Sequence, residues 1–261
     1  MAVTNFIQQI WSKKIQDDLE LKCKLVDNCL RDYEGDCKYA QSVKILGVGE
    51  PTIGAYDSTQ DISIEEMSDK GQILTIDQAN YFAFYVDDVN QAQSVPGLKE
   101  KYQEKAVHGL AVARDTYVAN LIAGATNKTT VTMTEDDFVD GVDAAIVALR
   151  ERNFDEEGVI EVTPAGYNLF KKNLIKVSTD NPEYIKKGLV GWYDGFEVIM
   201  SNNLKTPGCV RGKKAIAFAG QINEVEALRA EKRFKDIIRG LDTFGAKVID
   251  EDRIQVMVAS T

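Results

Sequence analysis

One apolar stripe constrains this chain more than any other feature. Leu98, Tyr102, Ala106, Leu110, Ala113, Tyr117 and Leu121 recur at spacings of three and four residues. That spacing predicts a single amphipathic helix from the Pro96-Gly97 break to about Gly124. At 1.5 Å per residue, about 27 residues span roughly 40 Å, long for a globular helix and suited to a spine. A fold built on such a spine must place its other elements along it.

The flanking segments read as extensions and a lobe. Residues 1–35 carry short amphipathic pieces, with Phe6, Ile7, Ile10 and Trp11 at helix-like spacing. Val43-Lys44-Ile45-Leu46 and Ile73-Leu74-Thr75-Ile76 read as strands enclosing a polar, turn-rich stretch from Gly47 to Gly71, in which Ile62-Ser63-Ile64 alternates. The expectation is a long projecting hairpin. Tyr81-Phe82-Ala83-Phe84-Tyr85-Val86 has high strand propensity. Residues 126–134 form a linker or strand. Thr134 with Asp137 predicts a helix start, with Phe138, Val142, Ala145, Ile146 and Leu149 as its buried face. Val159–Val162 is a strand, and Thr163-Pro164 supplies the cap and first residue of the next helix. Phe196–Met200, Ala215–Phe218, Ala246–Ile249 and Ile254–Val258 read as strands. Residues 222–239 mix helix formers with irregular apolar spacing and favour neither form. The sum is an α+β chain with a central lobe over about 133–225.

Composition excludes several classes. Hydrophobic residues make up 44% of the 261, enough for a core, so the chain is not disordered throughout. A net charge of −10 opposes tight, phosphate-driven binding of nucleic acid. The first residues lack the basic and apolar regions of a secretory signal, and no run approaches the ~20 apolar residues of a membrane helix. The four cysteines, Cys23, Cys29, Cys37 and Cys209, are therefore expected as reduced thiols in a cytosolic setting.

Each candidate for chemistry meets a simpler reading. His108, the single histidine, falls mid-helix and reads as a polar helix residue. The cysteine spacings give no zinc motif. Asp136, Asp137 and Asp140 match an Asp-Asp-x-x-Asp magnesium pattern, the basis of an alternative reading as a magnesium-dependent soluble enzyme. Acidic residues at a helix start are favoured by its dipole in any case. Gly47-Val48-Gly49 opens like a dinucleotide fingerprint, but the third glycine falls late, at Gly54. Asp87-Asp88 and Asp250-Glu251-Asp252 sit where turns prefer acids. Basic pairs at Lys171-Lys172, Lys186-Lys187 and Lys213-Lys214, the last preceded by Arg211, read as solvated faces or subunit contacts. The expectation is a non-enzymatic protein without cofactor or metal.

Several stretches, in order, resemble the major capsid proteins of tailed bacteriophages, of the Hong Kong 97 fold, in the branch found in phages of Gram-positive bacteria. They are Ala2–Trp11, Arg31–Gly35, Asp77–Gln93, Thr163–Tyr167, Gly195–Val198 with Ser201–Leu204, Phe218–Ile222 and Arg239–Val248. The resemblance implies an N-terminal arm (1–35), an extended loop overlapping a neighbour (36–77), a peripheral domain (78–132 and 226–261) around a spine helix at about 96–124, and an axial domain (133–225). It implies a structural protein that self-assembles through hexamers and pentamers into an icosahedral head, in a virion assembled in the host cytoplasm. Expected partners are further copies of the chain, a separate scaffolding protein, a portal and weakly contacted double-stranded DNA, with no membrane. Interface candidates are Phe6, Ile7, Trp11, Ile53, Tyr56, Ile62, Ile64, Arg211, Lys213 and Lys214. An encapsulin-like nanocompartment is the alternative on the same fold.

Overall fold

The computed structural model describes residues 23–34, 42–45, 71–87, 98–177, 191–229 and 235–260. Its strands are β1 (Ser42–Ile45), β2 (Gln72–Thr75), β3 (Gln78–Asp87), β4 (Lys128–Val131), β5 (Gly158–Val162), β6 (Trp192–Tyr193), β7 (Phe196–Met200), β8 (Gly208–Gly212), β9 (Ile216–Arg229), β10 (Lys235–Val248) and β11 (Ile254–Ala259). Its helices are α1 (Leu98–Ala123), α2 (Glu135–Arg150) and α3 (Pro164–Val177). The predicted spine is α1, 26 residues long.

The strands form three sheets: the β1–β2 pair, β3-β10-β9, and a six-stranded sheet ordered β4-β11-β8-β5-β7-β6. In the last, β5 pairs parallel with β7 and antiparallel with β8. Every residue of β5 and β8 is buried, as in central strands covered on both faces. On one face, Ile160, Val162, Val210 and Met257 pack with Phe138, Val142, Ile146 and Leu149 of α2 and Phe170 of α3. On the other, Cys209, Ile254 and Val256 pack with Val107, Leu110, Val118 and Ile122 of α1 and with Cys23, Leu25 and Val26. Thus α1 and the N-terminal segment cover one side of the sheet, and α2 and α3 the other.

The predicted helix signals are in place. The Thr134 side chain accepts from the Asp137 amide at 3.3 Å, and its hydroxyl donates to the Asp137 carboxylate at 2.7 Å. Thr163 caps α3 by accepting from the Gly166 amide. Two segments go beyond the sequence reading. Residues 222–239, which favoured neither form, fall largely in β9 and β10, two 14-residue strands with a register shift at Leu241/Asp242. β8 had no counterpart in the sequence reading. β11 lies between β4 and β8 in the six-stranded sheet.

Candidate functional site

The residues singled out for chemistry do not converge. His108 is exposed on α1. Asp136, Asp137 and Asp140 are exposed on the first turns of α2. There Asp137 engages the cap, and Asp136 accepts from the Asn173 amide nitrogen at 3.3 Å. Among the described residues, no three His, Cys, Asp or Glu side chains are placed to share a metal ion, and no helix is long and apolar enough to cross a membrane.

The buried charges instead grip the N-terminal segment. Glu161 on β5 and Arg211 on β8 are diagonal neighbours, because Glu161 faces Cys209 across the ladder. Both are fully buried, and they meet at 2.7 and 3.1 Å in a two-pronged ion pair. The rest of the guanidinium donates to the carbonyls of Asn28 (2.7 Å) and Leu25 (3.0 Å). From the opposite side Asp115 of α1 accepts the backbone N–H groups of Lys24, Leu25 and Val26 at 3.0–3.3 Å. One carboxylate holds the segment's amides while one guanidinium holds its carbonyls. Beyond it, the Leu30 amide donates to Ile216 and its carbonyl accepts from Phe218. Beside Asp115, Arg114 forms a buried pair with Asp242 and lies over the rings of Phe218 and Phe244 at 5.5 and 5.8 Å.

Arg211, expected at a subunit contact, is therefore a core residue: every prong of its guanidinium is used inside the chain. Lys213 and Lys214 remain at the surface. Lys213 lies 3.7 Å from Glu157 and 3.5 Å from Glu197, and Lys214 lies 3.8 Å from Glu156. Such exposed pairs contribute at most about 1 kcal/mol each, so a neighbour could replace them at little cost. Phe6, Ile7, Trp11, Ile53, Tyr56, Ile62 and Ile64 lie outside the described residues.

Three cysteines line the same region. Cys23, Cys29 and Cys209 are buried, free thiols. Burial pushes Cys23 up to about 12 and Cys29 to about 11, from an ordinary 9.0. In the unfolded chain these thiols ionise first. Their contribution to stability is therefore complete below pH 9 and is lost as pH rises from there through about 11–12. At neutral pH we expect Cys23, Cys29 and Cys209 to react with a thiol reagent at least ~100-fold more slowly in the native chain than in urea. Peptide-resolved mass spectrometry measures this. Equal rates in the two states would show that the segment does not stay docked.

Among the described residues several large apolar side chains are exposed. Tyr81 is 80% exposed, Tyr85 68%, Tyr102 52% and Ile73 56%, all on or beside the three-stranded sheet and β2. Phe82 and Phe84, alternating with the tyrosines, turn the other way, and Phe84 stacks on Tyr102 with ring centroids 5.8 Å apart. At the far end of the six-stranded sheet Trp192 is 59% exposed on the edge strand β6.

No family model and no curated protein matches this sequence. Solved structures do. One from Mycobacterium phage Che8 is 26% identical, covers 90% of each chain and superposes with a TM-score of 0.77. The capsid structure of the cyanophage P-SCSP1u is 16% identical, covers 89% of this chain and 86% of that one, with a TM-score of 0.74. A virus-like particle from Pyrococcus furiosus is 12% identical, covers 96% of this chain and 99% of that one, with a TM-score of 0.62.

Proposed function

We infer that this chain is a major capsid protein of the Hong Kong 97 fold, a structural protein that builds the icosahedral head of a tailed phage. One observation carries the reading: the match to the Che8 phage structure covers 90% of both chains at a TM-score of 0.77. The α+β architecture, with its spine helix and exposed aromatic sheet, is that of a shell subunit. Assembly into hexamers and pentamers, a scaffolding protein, a portal, packaged DNA, the host cytoplasm as assembly site and the absence of catalysis are our proposals from this identity. So is the division into arm (1–35), extended loop (36–77), peripheral (78–132, 226–261) and axial (133–225) parts. We retain Lys213 and Lys214, with Phe6, Ile7, Trp11, Ile53, Tyr56, Ile62 and Ile64, as contact candidates.

Weak contacts suffice for such a shell. A contact with a dissociation constant of about 1 mM is worth roughly 4 kcal/mol. Several per subunit act together once a ring has formed, while each alone stays reversible enough to correct errors. The net charge of −10 suits a container that must not grip the nucleic acid entering it.

The nanocompartment alternative is a cargo-holding shell on the same fold. Electron microscopy and mass photometry of the purified chain, alone and with a co-expressed scaffold, test both. We expect closed shells, or rings that close when scaffold is added, and nuclease-resistant DNA in particles from infected cells. A protein cargo in place of DNA would favour the nanocompartment. A chain that stays monomeric under every condition would end both readings.

A further inference from the structure

We propose that Gly245 and Tyr117 are positioning residues that lock the turn between β2 and β3 into a rigid elbow, and that this elbow fixes the direction of the β1–β2 pair and through it the curvature of the shell. The inference rests on the capsid reading, in which the β1–β2 pair belongs to the extended loop.

A two-stranded pair is marginal by itself and needs a surface to lie on. Here Val43, Ile45 and Leu74 pack on Ala217 and Ala219 of β9, with Ile76 and Ile249 beside them. In the β9–β10 ladder Ala219 faces Gly245 and Ala217 faces Lys247, so these four residues lie on one face of the three-stranded sheet. The β1–β2 pair is seated on that face. Lys247 donates to the Ile73 carbonyl at 3.0 Å, and the Gln72 side chain donates to the Ile249 carbonyl at 2.9 Å. Just past β2 the chain is inside the same sheet, because Gln78 of β3 pairs with Phe244. The passage from lying on the sheet to joining it takes only Ile76 and Asp77.

Both sides of this turn are held. A Cβ on Gly245 would lie 2.1 Å from the Thr75 carbonyl oxygen and 3.0 Å from the Ile76 Cα. These are backbone atoms, which cannot swing aside as the end of a side chain can. Phe244, the neighbour of Gly245, points to the opposite face. There Tyr117 of α1 meets it edge-on, with ring centroids 5.6 Å apart, and donates to the Asp77 carboxylate at 3.1 Å. Burial, with Asp77 second, pushes the Tyr117 hydroxyl up to about 12, so it stays a donor throughout the neutral range. A turn of two residues gripped from both faces has no free backbone to serve as a hinge.

A methyl group added at position 245 must displace Thr75 by about 1.4 Å to reach an ordinary contact of ~3.5 Å. Over the ~13 Å length of β2 this turns the pair by roughly 6°. Closed symmetry repeats each contact around every ring, so an error of direction recurs at every one.

Spin labels on Ile73→Cys and Ala144→Cys test the elbow in the unassembled full chain. The background is Cys37→Ser, and Cys23, Cys29 and Cys209 are buried. We expect one narrow distance in this parent. Gly245→Ala should displace it, and Tyr117→Phe, which keeps the ring contact with Phe244, should broaden it at least ~2-fold. A broad distance in the parent, or the parent's distance in both variants, would overturn the elbow. Electron microscopy of unlabelled variants reads the consequence: shells of altered diameter or open sheets are expected for Gly245→Ala. Ile160→Val, a core change away from the turn, should lose stability and still form shells of parental size. Parental shells from Gly245→Ala, or altered shells from Ile160→Val as well, would overturn the role in curvature while leaving the capsid reading intact. A parent chain that never assembles overturns the capsid reading and the role in curvature with it, and the distances still decide the elbow.

Discussion

Replacing Arg211 with alanine is expected to destabilise the folded subunit by about 3–5 kcal/mol. The change leaves the Glu161 carboxylate fully buried without its partner, removes the guanidinium donor from the Asn28 carbonyl and takes one of several donors from the Leu25 carbonyl. Burial alone pushes the Glu161 carboxyl above its ordinary range, and Arg211 is the main counterweight. Without the guanidinium, Glu161 must take up a proton or the sheet must open to water. Urea unfolding of the unassembled chain gives the number. Removing both charges with shape-matched apolar side chains, Glu161→Leu with Arg211→Met, should cost far less, because no buried charge is then left alone. If Arg211→Ala and the double variant lose equal stability, the loss reflects packing and the ion pair adds nothing.

The same arginine shows where local reading of a sequence stops. Arg211-Gly212-Lys213-Lys214 looks like a basic surface run, and two of its three cations are at the surface. Arg211 is not, because its partner Glu161 lies 50 residues away and only the β5–β8 ladder brings the two together. β8 was illegible for a related reason. The glycines at its ends suggest turns, but they are there for space: a Cβ on Gly208 would come within 2.2 Å of Met257 Cε, and one on Gly212 within 2.7 Å of Phe154. In β10, strand alternation is interrupted by the register shift and by Asp242, a buried acid explained only by Arg114 on α1. Legible features were those whose cause is local. They include the extent of α1, the Thr134 and Thr163 caps, and the short strands bounded by turns, whereas the face that α1 buries runs through Val107, Leu110, Val118 and Ile122 rather than along the stripe read from the sequence. The aromatic run of β3 was legible as a strand, but its pairing with the 14-residue β10 was not.

Asp115→Ala is expected to release the N-terminal segment while the rest of the fold stays closed. Three backbone donors, on Lys24, Leu25 and Val26, lose their common acceptor. A buried donor without a partner costs about 1–3 kcal/mol, so three exceed what one turn of chain can retain. The segment has a cheaper course than unfolding the whole subunit, which is to peel into water. Amide exchange at residues 24–30 should then accelerate at least ~100-fold, equivalent to roughly 3 kcal/mol of local opening, while α2 and β5 keep their protection. Cys23 and Cys29 should become reactive in the same variant, since the contacts that shield them also fix the segment. Exchange that rises equally everywhere would mean that Asp115 supports the global fold rather than this one segment. Unchanged exchange at 24–30 would mean that Arg211, through the Leu25 and Asn28 carbonyls, holds it alone. The expected selective release follows from the division of labour in the site: within the segment, the acid on α1 takes backbone donors and the base on β8 takes backbone acceptors. Losing either charge frees one set of backbone groups and leaves the other engaged. The segment from Lys24 to Leu30 is thereby anchored to helix and sheet at once.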